Sequence, residues 1–275
     1  MKIIKAVVVS VLVLFLLTAC AEFQQGMTRS STSAVIDNIL DRGELVVGTM
    51  GKMPPLNMTT KDGNLIGLEI DLVRSIAAAM GVKYRFETMA FSELLPALEA
   101  GKVDMILSGM TITPARNLKV AFVGPYFISG KAFLTKLKTI AEADDAADIN
   151  SPQTKLVALK DSTSQEFAKA VIPKATLWAA ADYDEAVSMV LKDEVHAMIA
   201  DYPICVVSVF RYPNAGLLSV VTPLTYEPIG IAVPAGDPLL VNWLENFLAA
   251  LQDSGMLDEL KKKWFAKGSW LNKLP

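Results

Sequence analysis

Apolar and polar positions alternate with two different periods along this chain. From Ile70 to Met80 the residues Leu72, Val73, Ile76, Ala77 and Met80 fall on one helical face, and Gly81 closes the run. From Val82 to Thr88 the period drops to two, with Val82, Tyr84, Phe86 and Thr88 set against Lys83, Arg85 and Glu87. That is a half-buried strand. Phe91 to Ala100 is helical again, with Pro96 placed early in the element and Gly101 after it, and Val103–Leu107 is a buried strand. With the short strand at Leu45–Val47 the order is strand, helix, strand, helix, strand, which predicts an α/β sandwich.

The pattern pauses at Phe122-Val123-Gly124-Pro125-Tyr126, runs extended through Ala132-Phe133-Leu134, and then repeats. Strands are predicted at Lys155–Leu159, Ala175–Trp178 and Val195–Ala200. Helices are predicted at Ser164–Val171, Asp182–Leu191 (opened by an Asp182…Glu185 capping box) and Tyr202–Phe210. A second extended crossing lies near 221–227, followed by a strand at Ile229–Val233 and two amphipathic helices. The expectation is two Rossmann-like lobes joined by two hinge strands, with the second unit inserted into the first. Lobe one takes 38–128 and 226–275, and lobe two takes 129–225. The cleft between them is the expected ligand site.

Composition narrows the classes. The 275 residues are 52% hydrophobic and 20% charged, enough for a packed core. A net charge of −3 with both signs dispersed gives no nucleic-acid footprint. One histidine and two cysteines supply no metal-ligand spacing, and no cofactor motif is present. The N-terminus stands apart. Lys2 and Lys5 precede the apolar run Ala6–Leu17, which ends in Leu17-Thr18-Ala19-Cys20. This resembles a bacterial lipoprotein signal over 1–19, cleaved before a lipidated Cys20, with 20–37 as a tether. An ordinary secretory signal or a short anchor are the alternatives. The remaining Cys205, within Ile204-Cys205-Val206-Val207, reads as a buried apolar residue.

Candidate chemistry gathers where strands end. Ser108-Gly109-Met110-Thr111-Ile112-Thr113-Pro114-Ala115-Arg116 leaves the strand at Leu107 and offers hydroxyls, bare backbone and a cation. Thr113 suits a helix N-cap and Pro114 the first helical position, so Arg116 falls in the first turn, where a cation opposes the helix dipole. The arrangement makes sense if Arg116 holds an anion there, with Gly109 allowing close approach and Thr111 adding a hydroxyl. The alternative is a surface ion pair with Asp104 or Glu99. In the second unit Lys160-Asp161-Ser162-Thr163-Ser164 repeats the device, or simply caps a helix through Ser162 or Thr163. Asp201 ends the strand at Ala200 as an N-cap or as a carboxylate facing the cleft. Arg116 and Asp201 on opposite lobes would suit a zwitterion.

The stretches GLEIDLVRSIAAAMG, FSELLPALEAGKVDMILSGMTITPARNLKVAFVGPY and DSTSQEF resemble the amino-acid-binding proteins of bacterial ABC importers, the periplasmic binding protein type II fold, over roughly Leu45 to Phe265. The resemblance implies that Arg116 clamps an α-carboxylate, that Gly109 and Thr111 bind ammonium and carboxylate, and that Thr163 and Ser164 contact the carboxylate from lobe two. It implies that Asp201 takes the ammonium and Phe91 packs on the ligand side chain. Ser164 departs from a frequent glycine, and Met53 stands near a usual aromatic. Without an acidic residue in that loop, cationic side chains are disfavoured. Met50, Met53, Phe91, Met110 and Ala200 suggest an apolar side-chain pocket, whereas Lys160, if it faces the cleft, favours an amide or acid. Asp71 matches a structural helix-start aspartate.

The same resemblance implies a free amino acid as ligand and a membrane permease as partner. It also implies a lipid-held location on the periplasmic or extracellular face and a monomeric state. The rivals are a cyclohexadienyl-dehydratase-like enzyme on the same fold and a ligand-presenting sensor. His196, the only histidine, reads as structural.

Overall fold

The computed structural model describes residues 33–143, 146–219 and 223–275. Cys20 and the signal-like segment lie outside them, as does part of the second crossing. Residues 34–37, expected in the tether, instead form the start of helix α1 (Ala34–Arg42). Ser33 caps it by accepting a hydrogen bond from the Ile36 N–H, and Gly43 closes it in the left-handed conformation. Ser33 caps the helix and Val35 and Ile36 pack against the core directly after it, which starts the helix early.

Lobe one is a five-stranded sheet. Its strands are β1 (Glu44–Thr49), β5 (Lys83–Thr88), β6 (Met105–Ile106), β7 (Val120–Ser129) and β13 (Glu227–Pro234). The order is β5-β1-β6-β13-β7. Strand β1 is parallel to β5 and β6, and β13 runs antiparallel to β6 and β7. Helices α2 (Leu68–Met80) and α3 (Phe91–Glu99) cover it, each burying its apolar face. A three-stranded ribbon, β2 (Lys52–Met53), β3 (Asn57–Thr59) and β4 (Leu65–Ile66), stands beside them.

Lobe two repeats the scheme with β8 (Lys131–Thr135), β9 (Lys155–Leu159), β10 (Thr176–Ala180), β11 (Ala197–Asp201) and β12 (Leu218–Ser219), in the order β10-β9-β11-β8-β12. Strands β9, β10 and β11 are parallel, and β8 is antiparallel to β11 with Asp201 opposite Lys131. The two-lobed α/β architecture expected from the periodicity is therefore present.

The lobes join where β7 passes into β8. Gly130 sits at that passage because nothing larger fits: a Cβ there would come within 2.3 Å of the Thr225 carbonyl oxygen and 2.4 Å of Pro223. The returning chain is stitched to the outgoing one by Lys131 N–H to Thr225 Oγ1 (2.9 Å) and Leu224 N–H to the Lys131 carbonyl (2.8 Å). A C-terminal segment also spans both lobes. The Lys273 carbonyl accepts from Lys61 N–H (2.9 Å), and Arg211 donates to the Pro275 carbonyl (2.8 Å).

Candidate functional site

The carboxyl ends of β1, β6, β9 and β11 converge on the cleft, the position at which open α/β sheets bind ligands. Each strand end is followed by a loop or helix start that supplies polar groups.

After β6, Thr113 caps the short helix α4 (Pro114–Asn117) by accepting from the Arg116 N–H. This turns the Arg116 side chain back toward the cleft. Its Nη1 donates to the Thr111 carbonyl at 2.9 Å, and its Nη2 reaches the Asp161 carbonyl of lobe two at 3.4 Å. The guanidinium lies over the Phe91 ring, 5.5 Å from the centroid. Asp104 is engaged elsewhere, with Arg42 and the Val46 N–H, and among the described residues no carboxylate forms an ion pair with Arg116. Burial pulls the Arg116 guanidinium below its ordinary value, against the fields of Glu166, Asp201 and Glu227.

From lobe two, helix α6 (Thr163–Val171) points its N-terminus at this cation. Ser162 is the cap, accepting from the Gln165 N–H at 3.2 Å. Thr163 is therefore free of capping, and its Oγ1 lies 3.3 Å from Thr111 Oγ1 across the cleft. Ser164 Oγ is buried and has no hydrogen-bond partner among the described residues. By position the first N–H groups of the helix also lack intrahelical acceptors. A cation, two hydroxyls, an unpartnered hydroxyl and a helix N-terminus make a site for a small anion.

Asp201 precedes helix α8 (Tyr202–Arg211) but does not cap it with its side chain. The carboxylate instead accepts from Ser129 Oγ (3.1 Å), Lys131 Nζ (3.2 Å) and Tyr183 Oη (3.4 Å). Burial pushes the Tyr183 phenol well above its ordinary value, with the Asp201 charge adding to it. Lys131 is fully buried, and its ammonium also lies 3.5 Å from Glu227 Oε2. Sequence reasoning missed Lys131, Glu227 and Tyr183. A lysine inside Ser129-Gly130-Lys131-Ala132 gives no periodic sign of burial.

Gly109 and Met53 meet each other. Gly109 has φ +59°, and a Cβ on it would sit 2.1 Å from Met53 Sδ. Its N–H donates to Glu69 Oε1 at 2.7 Å. Glu69 is buried and also accepts from Asn57 Nδ2 (2.5 Å) and the Tyr126 hydroxyl, while Asn57 Oδ1 holds the Gly51 N–H at 2.8 Å. Burial raises the Glu69 carboxyl above its ordinary value, and the hydrogen bonds from Tyr126, Gly109 and Asn57 oppose it. One carboxylate thus ties together the loops that carry Met53 and Gly109.

Met110 is fully buried, Met50 and Phe91 nearly so, and Lys160 is exposed, with its N–H bonded to the Ala180 carbonyl. Beside them a cavity of about 290 Å³ at the cleft mouth is lined by Met50, Lys52, Thr88, Met89 and Asp182. Lys52 Nζ crosses it to Asp182 at 2.6 Å. Cys205 is buried, and His196 Nδ1 accepts the Lys155 N–H at 3.2 Å at the start of β9. Asp71 binds Lys263 and the Trp264 indole, joining α2 to the C-terminal segment.

Residues 45–267 match the bacterial extracellular solute-binding proteins, family 3, and the chain belongs to that family. Relatives include a probable histidine-binding protein of Neisseria gonorrhoeae, 28% identical, covering 80% of this chain and 82% of that protein. Another is the ABC transporter glutamine-binding protein GlnH of Bacillus subtilis, 26% identical over 96% and 97% of the two chains. Among solved structures, a putative ABC-transporter binding component from Wolinella succinogenes complexed with lysine superposes with TM-score 0.80 at 38% identity. It covers 84% of this chain and 100% of that one. An ancestral amino acid-binding protein, described as a precursor of cyclohexadienyl dehydratase, superposes with TM-score 0.77 at 34% identity, with the same coverage.

Proposed function

We propose that the cleft closes on a free α-amino acid and hands it to the permease of an ABC importer. The observation that carries this reading is the pairing of two opposite ends. Arg116, without a carboxylate partner among the described residues, faces the start of α6 and the unpartnered Ser164. Asp201, turned away from its capping role, faces the same cleft from β11. An α-carboxylate at the first end and an α-ammonium at the second satisfies both. Leaving one partner of such a water-excluded pair unmatched costs about 3–5 kcal/mol, so compounds lacking either charge bind poorly. Thr111 and Thr163 frame the carboxylate. Gly109, whose N–H is held by Glu69, has only its carbonyl to offer the ammonium, and Phe91, Met50, Met53 and Met110 give the side-chain end an apolar wall.

Lys52 in the mouth cavity is paired with Asp182, and the apolar wall of Met50, Met53, Phe91 and Met110 favours an amino acid with an uncharged side chain. Closure brings Thr163 and Asp161 of lobe two onto Thr111 and Arg116 of lobe one. The relatives are transport binding proteins, which favours a carrier over a dehydratase.

Titration calorimetry of the chain from Ser33 onward against the free amino acids, with decarboxylated and deaminated analogues beside them, tests this. One or a few amino acids are expected to bind while their analogues do not, and Arg116→Ala or Asp201→Asn is expected to weaken binding at least about a hundredfold. Binding unchanged in both variants overturns the assignment. Steady turnover of prephenate would replace it with the enzyme.

The N-terminal pattern supports cleavage after Ala19 and lipid attachment to Cys20, holding a monomer on the periplasmic or extracellular face of a bacterial membrane next to its permease. Release of Cys20→Ala into the soluble fraction is the expected result, together with a diacylglyceryl mass on the N-terminal peptide of the parent.

A further inference from the structure

The amine end of the cleft holds more charge than a single acceptor needs. Lys131 Nζ stands 3.2 Å from Asp201 Oδ1 and 3.5 Å from Glu227 Oε2, and all three side chains are buried. Lys131 begins β8 in lobe two, opposite Asp201 on β11. Glu227 begins β13 in lobe one, opposite Ser129. The lysine therefore bridges the two carboxylates across the hinge. Glu227 is fixed on both oxygens, with Thr225 Oγ1 donating to Oε1 (3.0 Å) and Thr163 Oγ1 to Oε2 (3.3 Å). Asp201 Oδ1 is taken by Ser129 and Lys131, whereas among the described residues Oδ2 has only the long contact from Tyr183.

We propose that Lys131 and Glu227 are positioning residues that balance each other's charge. Glu227 neutralises Lys131 and so leaves Asp201 one uncompensated negative charge for one ligand ammonium. This rests on the amino-acid reading of the cleft. Without Glu227, Lys131 is the natural partner of Asp201, and the amine end is neutral before any ligand arrives. Without Lys131, two buried carboxylates face one ammonium, and closure leaves a charge uncompensated. In either case a ligand with a single ammonium is mismatched, because an unpaired charge in a closed site is the costly arrangement.

The experiment is calorimetry with whichever amino acid binds the unaltered protein most tightly, on Glu227→Gln, Lys131→Gln and the double variant. Each single substitution is expected to weaken binding at least about tenfold, and the double variant is expected to return to within about threefold of the parent. A purely structural ion pair would show this loss and recovery in the melting temperature but leave binding by the folded variants unchanged. Melting curves identify any variant that does not fold. Should Glu227→Gln be one, Glu227→Asp keeps the charge, shortens its reach, and is expected to lose about threefold. Single variants that bind like the parent, or a double variant no better than Glu227→Gln, overturn the proposal while leaving the amino-acid reading intact. A parent that binds no amino acid removes both.

Discussion

Met53 Sδ occupies the space that a side chain on Gly109 would need: a Cβ built on the glycine falls 2.1 Å from the sulfur. The ribbon β2–β4 is thereby locked onto the loop that leads to Arg116. Gly109→Ala adds left-handed strain of about 1–2 kcal/mol and overpacking of about 1–3 kcal/mol. Urea melts should show a loss of about 2–4 kcal/mol. Met53→Ala on that background should relieve the clash but not the strain, so the double variant costs less than the sum of the singles. Strict additivity would mean that the two residues do not press on each other.

Ser164 supplies a prediction in which stability and binding move apart. Its buried hydroxyl has no partner among the described residues, an arrangement that costs about 1–3 kcal/mol in the empty protein. Ser164→Ala is therefore expected to leave the melting temperature unchanged or higher while weakening amino-acid binding about tenfold. If both properties fall together, the hydroxyl has a structural partner instead.

Glu69 accepts three hydrogen bonds and donates none, so its amide replacement is not neutral. In Glu69→Gln the new NH2 faces Asn57 Nδ2, and Asn57 cannot flip because its Oδ1 holds Gly51. The expected loss is about 1–3 kcal/mol. Adding Asn57→Asp lets the glutamine donate to residue 57 and should recover at least half of it. Burial holds the Glu69 carboxyl above the ordinary 4.5. In the window between 4.5 and that raised value the folded state binds the extra proton, so the Glu69 contribution to stability grows as pH falls. This slope should disappear from denaturation curves of Glu69→Gln.

Lys52 and Asp182 form an ion pair between the lobes at the cleft mouth, with Asp184 at 3.9 Å from the same ammonium. The Asp182 hydrogen bond raises Lys52 above 10.5. At Asp182, burial acts to raise the carboxyl, but the Lys52 contact and the backbone bonds prevail and hold it below 3.8. The pair's contribution is full above the ordinary aspartate value and is lost as pH falls through the lower folded one. At the alkaline end it is lost as pH rises through the raised lysine value. Lys52 is 46% exposed, so screening keeps the effect under about 1 kcal/mol. Asp182→Asn keeps the helix cap and removes the charge. Interlobe fluorescence transfer should then report a smaller closed fraction at about 0.05 M salt, and no difference from the parent at about 1 M.

Much of this protein was determined by local sequence. Periods of 3.6 and 2 place the helices and strands, because a face buried against a layer must repeat with the geometry of its element. Thr113 and Asp182 mark helix starts through bonds that span three residues, and Pro114 does so through its fixed φ. The long stretch through Arg116 carries the family. Other features were decided only by tertiary structure. Either Ser162 or Thr163 could cap α6. Packing at the cleft gave the cap to Ser162 and left Thr163 to meet Thr111 and Glu227. Asp201 could equally cap α8, and it turned away because Lys131 arrives from the neighbouring strand β8 and Ser129 from the end of β7. Lys131 itself, at the start of a strand and near glycine, looks solvated in sequence. It is buried because the β8–β11 register and the returning hinge strand bring two carboxylates to it from about 70 and about 100 residues away. A buried charge is tolerated only where its partners converge, and such convergence belongs to the folded chain rather than to any window of its sequence.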